Sequence, residues 1–193
     1  MINYPNKKNG YTKTKVSIKN RGMQFESLID KSNEYYLEHG LAVIHKKPIP
    51  IQIVKVDYPS RKAAKITEAY YKTPSTTDYN GLYKGHYIDF DVKESRNKTS
   101  FPLNNIHTHQ YTHLKHIHAH KGIAFLLIYI HAEDTFFCLP FDALHAFIIR
   151  SKTGRKSITH EELHTHAIKV KEGINPRIDY LKAVDQLIMK MKA

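Results

Sequence analysis

The residues best suited to chemistry lie mid-chain, in Thr76-Thr77-Asp78-Tyr79-Asn80-Gly81 and Ile88-Asp89-Phe90-Asp91-Val92-Lys93. Side chains of a strand alternate between its faces. Read as a strand, Tyr87–Lys93 sends Asp89, Asp91 and Lys93 to one side and Ile88, Phe90 and Val92 to the other, into a core. Carboxylates gathered there suit a hard divalent cation such as Mg2+, which takes carboxylate oxygens and keeps waters for a phosphate. Such an ion lowers the pKa of a bound water and offsets charge building at phosphorus. Asp78 joins Asp91 as the second candidate ligand, with the Val92 carbonyl between Asp91 and Lys93. Lys93 is placed to hold the water or donate to the phosphoryl oxygens. The chemistry is phosphodiester hydrolysis. Asp…Asp-x-Lys alone is equally the signature of a surface ion pair, so its surroundings decide.

Two helices must position this strand's neighbours. Over 21–39, Phe25, Leu28, Ile29, Tyr35 and Tyr36 recur at helical spacing, Gly40 sits at the C-terminal cap, and Glu26 lies beside the apolar stripe. Over 106–120, Ile106, Leu114 and Ile117 share a face with Gln110, and packing that face on the sheet brings Gln110 towards Lys93. A buried amide is costly unless paired, so Gln110 either bonds within the core or serves the site. Strands are expected at 41–45, 51–56 and 87–93, with a hairpin of buried strands at 122–130 and 135–139 and an edge strand at 167–170. Asn80-Gly81 predicts a tight hairpin turn. Further helices are expected at 141–149, after a capping box of Thr159 and Glu162, and from Asn175-Pro176 through Ile188. Strands and helices mix throughout, which makes the class α/β.

The segment 57–75 differs in character. Arg61, Lys62, Lys65 and Lys72 alternate with Tyr58, Tyr70 and Tyr71. Lysines and arginines meet phosphates and aromatic faces stack on exposed bases. The reading is a projecting element; the competing one is a surface helix with its tyrosines turned inward.

The chain has 193 residues, one domain's worth, with 30 Lys and Arg against 18 Asp and Glu. The resulting charge of +12 favours a polyanionic partner, because each phosphate contact releases counterions. Residues 1–20 carry Lys7, Lys8, Lys13, Lys15 and Lys19 and read as a flexible basic arm, leaving 21–193 as the single folded domain. No apolar stretch approaches the roughly 20 residues of a membrane helix, and the N-terminus has no apolar signal core. The lone Cys138 excludes an internal disulfide and fits a reducing, cytoplasmic setting near the nucleoid.

Fourteen histidines open another class of function. His109, His113, His116 and His120 would line one helix face, and imidazoles bind Zn2+. A histidine-rich metal-binding protein that associates with DNA without cutting it is therefore a distinct alternative. An exposed basic face approaching DNA accounts for the same residues.

In these residues the chain resembles the RecU Holliday junction resolvases, a branch of the restriction-endonuclease-like nucleases with a PD-(D/E)xK site. The resemblance spans about Asn20 to Leu187. It rests on Asn20-Arg21-Gly22-Met23…Glu26, on 75–81, on Tyr87-Ile88-Asp89-Phe90, on Lys93-Glu94…Lys98-Thr99-Ser100-Phe101-Pro102-Leu103, and on Pro176-Arg177-Ile178-Asp179-Tyr180-Leu181. It implies a mixed β-sheet flanked by helices, with a stalk formed by about 57–75. Asp78 and Asp91 would hold Mg2+, with Mn2+ a substitute; Lys93 would be the catalytic lysine, Glu26 an acid from the first helix and Gln110 a downstream assistant. Thr77 would touch the metal's water shell or the scissile phosphate, and Asp89 ranks second as ligand. Arg21, Arg61, Lys62, Lys65, Tyr70, Tyr71 and Lys72 would contact DNA. The family usually has Glu where this chain has Asp91. The implied activity is symmetric nicking of four-way junctions by a homodimer in recombination and repair, alongside a recombinase or branch-migration helicase. A non-catalytic junction binder on the same fold is the remaining alternative. The apolar strands within 122–139 are candidates for the dimer interface.

Overall fold

The computed structural model describes residues 21–72 and 76–192, so the expected basic arm lies outside the described residues. Helix α1 (Arg21–Glu38) leads into β1 (Val43–Lys46), then β2 (Ile51–Asp57) and β3 (Lys65–Tyr71). Strands β4 (Tyr79–Tyr83), β5 (His86–Ser95) and β6 (Ser100–Pro102) follow, then α2 (Thr108–Ala119), β7 (Ile123–Ile130) and β8 (Thr135–Pro140). The chain closes with α3 (Phe141–Arg150), β9 (Ser157–Thr159), α4 (His160–His166), β10 (Ile168–Val170) and α5 (Leu181–Lys192). Six strands form one mixed sheet in the order β1-β4-β5-β7-β8-β10; β5 and β7 are parallel and the other pairs antiparallel. The expected edge strand near 170 is indeed the sheet's last.

Strand alternation gives the sheet two apolar faces. On one, Ile88, Phe90 and Val92 pack with Phe125, Leu127, Phe25 and Ile29 of α1 and Val184 of α5. On the other, Ala124, Leu126, Ile128 and Ile130 pack beneath Leu114 of α2, Leu144 of α3 and Leu163 of α4. The result is three layers, helix–sheet–helix, as an α/β class requires. The hairpin β7–β8 is the centre of this core: Phe125 through Ile128 and Phe137 through Leu139 are at most 1% exposed. Those side chains are taken up by the chain's own core.

Two local expectations give way. Asn80-Gly81 is not a turn: both residues lie inside β4, paired with Asp89 and Ile88. The turn is Lys84-Gly85, where both residues have positive φ (49° and 79°), the twist a two-residue hairpin needs. Gly81 serves packing instead, since a Cβ there would meet the Val43 carbonyl oxygen at 2.1 Å. Likewise, Asn175-Pro176 opens no helix; α5 starts at Leu181. The intervening backbone is committed elsewhere. Ile178 bridges to Glu172, donates its N–H to Ser32 Oγ at 2.8 Å and accepts the Tyr36 hydroxyl on its carbonyl at 3.0 Å.

The basic-aromatic segment is a strand, not a helix. β2 and β3 pair only with each other, and every residue of both is exposed. The ribbon begins at Ile51, six residues before the expected stalk.

Candidate active site

Three strands and one helix converge on the end of β5. Asp89, Asp91 and Lys93 share the face that α2 covers, as alternation requires, and pair in register with Ala124, Leu126 and Ile128 of β7. Asp91 is fully buried. Its Oδ1 accepts a 2.7 Å bond from Gln110 Nε2, and its Oδ2 stands 2.6 Å from Lys93 Nζ. That second contact is an ion pair without hydrogen-bond alignment, so Oδ2 has no hydrogen-bond donor. Asp78 lies just before β4, where its Oδ2 accepts the Val92 N–H at 3.2 Å. Gln110 also accepts the His107 N–H at 3.0 Å on Oε1, closing the N-terminal capping box of α2. One amide thus joins the helix start to the strand's carboxylate.

The electrostatics mark Asp91 as the unsettled group. Burial pushes its carboxyl up to about 7; Lys93 pulls it down, and the neighbouring Asp78 carboxylate pushes it up again. Two acids forced together in a dry place are the arrangement a divalent cation relieves. The donor set fits such an ion: two hard carboxylates, one with a buried oxygen lacking a donor, and a lysine beside them. His109 lies at the rim, its imidazole held below the usual range by burial, by His107 and by Lys93.

Glu26 stands on the other face. Its Oε2 pairs with Lys46 Nζ at 2.6 Å, and Lys46 lies 3.8 Å from Oδ2 of Asp30, whose Oδ1 accepts the Tyr79 hydroxyl. Burial draws the Lys46 amine down, but Glu26 outweighs it and the shift is upward, with Asp30 and Asp78 adding to it. Asp78 is thus near both groups, whereas Glu26 is joined to Lys46 rather than to Asp91.

Asp89 and Thr77 belong to a neighbouring cluster. Asp89 Oδ1 accepts from Thr77 Oγ1; Oδ2 takes Lys47 Nζ at 2.7 Å and Tyr87 Oη at 3.1 Å, with His113 Nε2 also 3.1 Å away. Neither Asp89 oxygen is free. Lys47 escaped the sequence reading, and His113 entered it only as one histidine of a helix face.

The remaining nucleic-acid candidates fall into two groups along the ribbon. Arg61 and Lys62 occupy its turn, with Lys65 at the first pair, while Tyr70, Tyr71 and Lys72 lie at the opposite end. Seven residues of strand separate the groups by roughly 20 Å. Tyr70 and Tyr71 are 62% and 82% exposed. The Arg21 side chain lies outside the described residues.

The histidines assemble no metal centre: among the described residues no group of three His, Cys, Asp or Glu is placed to hold an ion. The sequence also contains His160-Glu161-Glu162-Leu163-His164, the spacing of a helical zinc motif. In the fold both imidazoles turn to one carboxylate, Glu133, at 2.9 and 2.8 Å. Among the described residues no helix is long and apolar enough to cross a membrane, and Cys138 is buried.

Residues 20–186 match the family Recombination protein U. A Holliday junction resolvase RecU of Bacillus cereus (strain B4264) is 54% identical over 169 residues, covering 87% of this chain and 84% of that protein. Its counterpart in Bacillus mycoides (strain KBAB4) is 53% identical over 172 residues, covering 89% and 86%. Among solved structures, the Archaeoglobus fulgidus Holliday junction resolvase Hjc aligns with a TM-score of 0.40 at 8% identity, over 79% of this chain and 95% of that one, a likeness too loose to bear on the site. By profile and by identity across nearly its whole folded length, this chain belongs to the Recombination protein U family.

Proposed function

We propose that this chain is a Mg2+-dependent endonuclease that resolves four-way DNA junctions by paired nicking. The observation that carries the reading is the convergence of Asp78, Asp91, Lys93 and Gln110 at one end of β5. Asp78 and Asp91 would hold the ion, with Mn2+ an acceptable substitute. Bound there, the ion supplies a Lewis acid for the scissile phosphate and its attacking water. Lys93 Nζ, beside Asp91, is oriented to donate to a non-bridging phosphoryl oxygen as charge develops. Gln110 fixes the Asp91 carboxylate through Oδ1 and so leaves Oδ2 facing the site. Glu26, tied to Lys46, acts from the α1 face as a more distant acid. Thr77 and Asp89 set the strand positions of Asp78 and Asp91 rather than taking the ion first.

The ribbon supports the choice of a branched substrate. A solitary two-stranded hairpin is marginally stable in water. This one exposes Ile51, Ile53, Val54, Val56 and Ile66 together with Tyr58, Tyr70 and Tyr71. Such a surface is covered when two copies bring their ribbons together and bases stack on what remains. A two-fold pair of sites then matches the two-fold symmetry of a junction. Action on chromosomal DNA places the protein in the cytoplasm at the nucleoid.

The test is cleavage of a mobile four-way junction in Mg2+, with cut sites mapped, for the wild-type chain and Asp78→Asn. The expectation is symmetric nicks for the wild type, and junction binding without nicks for the variant. Nicking that survives Asp78→Asn overturns the site, and binding without nicking by both proteins makes the chain a junction binder only.

A further inference from the structure

The cluster around Asp89 has no part in the chemistry just described, yet its carboxylate is more fully hydrogen-bonded than Asp91 of the site itself. Its hub is Lys47, the residue after β1. The β1–β4 ladder pairs Lys46 with Tyr79. One step further, the Lys47 N–H donates to the Asp78 carbonyl at 2.7 Å. The Lys47 side chain leaves on the face opposite to Lys46 and is largely covered, 16% exposed. Its ammonium donates to Thr77 Oγ1 at 2.9 Å and to Asp89 Oδ2 at 2.7 Å. Thr77 Oγ1 in turn donates to Asp89 Oδ1. His113 Nε2, one helical turn beyond Gln110 on α2, closes the group at 3.3 Å from Lys47 Nζ and 3.1 Å from Asp89 Oδ2.

Thr77 and Asp78 are adjacent, and Asp89 and Asp91 are alternate residues on one strand face. Thr77, Asp89 and His113 are therefore each linked by a short piece of backbone to a member of the active site. Asp78 itself lies just before β4, outside any ladder. Lys47 grips the Thr77–Asp78 segment twice, by the Asp78 carbonyl and by the Thr77 hydroxyl, and binds it to β5 through Asp89.

We propose that Lys47 is a positioning residue for the cleavage reaction, holding the Thr77–Asp78 segment against β5 so that the Asp78 carboxylate stays opposite Asp91. Asp89 is its anchor, a carboxylate saturated by Lys47, Thr77 and Tyr87. The inference rests on Asp78 and Asp91 being the ion's ligands. Partners that orient ligands without touching the ion typically change metal affinity or activity by about 10–100-fold.

The experiment measures Mn2+ binding to the full-length chain without DNA, by electron paramagnetic resonance, together with single-turnover cleavage and metal-free junction affinity. Lys47→Met is expected to weaken Mn2+ binding and slow cleavage by about 10–100-fold each, with junction affinity unchanged. Lys47→Arg, which keeps the charge and the donors, is expected to recover part of both. Lys47→Met strands a buried carboxylate and risks the fold, so Lys47→Met/Asp89→Asn removes that charge. It should melt close to the wild type while its Mn2+ binding stays weak. Wild-type Mn2+ affinity in that double variant overturns the proposal. So does a gain in Mn2+ affinity in Lys47→Met, which would mean that the ammonium competes with the ion for Asp89. A loss of junction affinity with full Mn2+ binding also overturns it, making Lys47 a phosphate contact. Asp78→Asn separates the two levels: Mn2+ binding that survives it sinks the metal site and this inference together. If Asp78→Asn abolishes binding while the Lys47 variants bind normally, only the role of Lys47 falls.

Discussion

Gln110 allows the sharpest test of how helix and site are coupled. Its side chain makes two bonds of different kind: a neutral one to the His107 N–H at the start of α2, and a charge-assisted one to Asp91 Oδ1. Gln110→Leu keeps the volume and loses both. A lost N-terminal cap costs about 1 kcal/mol, and a lost hydrogen bond to a charged group about 1.5–3 kcal/mol. The substitution should therefore cost about 2.5–4 kcal/mol, which for a chain of this size lowers the melting temperature by roughly 5–16 °C. A double-mutant cycle separates the two parts. In an Asp91→Ala background only the cap remains to be lost, so the coupling energy between positions 110 and 91 should be about 1.5–3 kcal/mol. The assay is urea unfolding in EDTA at pH 8.5 and fixed protein concentration, with Asp91 ionised. Gln110→Glu adds a sign test: it keeps the cap but faces Asp91 with a like charge, so it should be destabilised without metal and recover more than the wild type when Mg2+ is added. A coupling energy within about 0.5 kcal/mol of zero, the ordinary additivity error, refutes the reasoning.

Gly81→Ala places a Cβ 2.1 Å from the Val43 carbonyl oxygen, a backbone atom that cannot swing away; soluble yield and melting temperature should fall, by about 3 kcal/mol or more in stability. Arg61→Ala/Lys62→Ala should weaken junction binding and reduce its salt slope by about 2, roughly 0.9 per phosphate contact, leaving the Mn2+ affinity of the free protein alone. Arg150 beside Glu162 holds that carboxyl down at about 2, with the Thr159 cap adding to the effect. A depressed acid contributes stability that is present above its unfolded pKa near 4.5 and is lost as the pH falls towards 2. After discounting for solvent screening of this partly exposed pair, Glu162→Gln should cost about 1 kcal/mol at pH 6, and thermal melting should show the gap to wild type closing by pH 2.

Much of the site was legible because its logic is local. Alternation along 87–93 placed Asp91 and Lys93 on one face and Phe90 on the other, and helical spacing brought Gln110 over them. Both follow from periods of two and 3.6 that need no knowledge of the partner strand. Lys47 was invisible for the opposite reason. Its partners Thr77 and Asp89 lie 30 and 42 residues away, and only the register of β1 on β4 brings them together. Turn chemistry misled at Asn80-Gly81 because a glycine that admits a neighbouring carbonyl looks the same in sequence as one that turns the chain. The actual turn uses Lys84, a poor turn residue by type, because a two-residue hairpin demands its φ. The start of α5 was misplaced since tertiary bonds from Ser32 and Tyr36 capture Ile178, and no local signal at Asn175-Pro176 records them.

Asp89 and Asp91 show how position alone divides like residues into different tasks. They are two residues apart, on one face of one strand, and equally buried. Asp89 meets a lysine, two hydroxyls and an imidazole, so its charge is answered within the protein. Asp91 meets one amide and one lysine out of alignment, with a second acid beside it. A cation therefore gains little at Asp89, where it must displace an ammonium already in place, and much at Asp91, where it relieves a repulsion the fold leaves standing. Gln110 reaches the Asp91 carboxylate at 2.7 Å and holds it. Asp91→Glu should accordingly retain Mn2+ binding and cleavage, whereas Asp89→Glu, crowding a saturated cluster, should lose stability first.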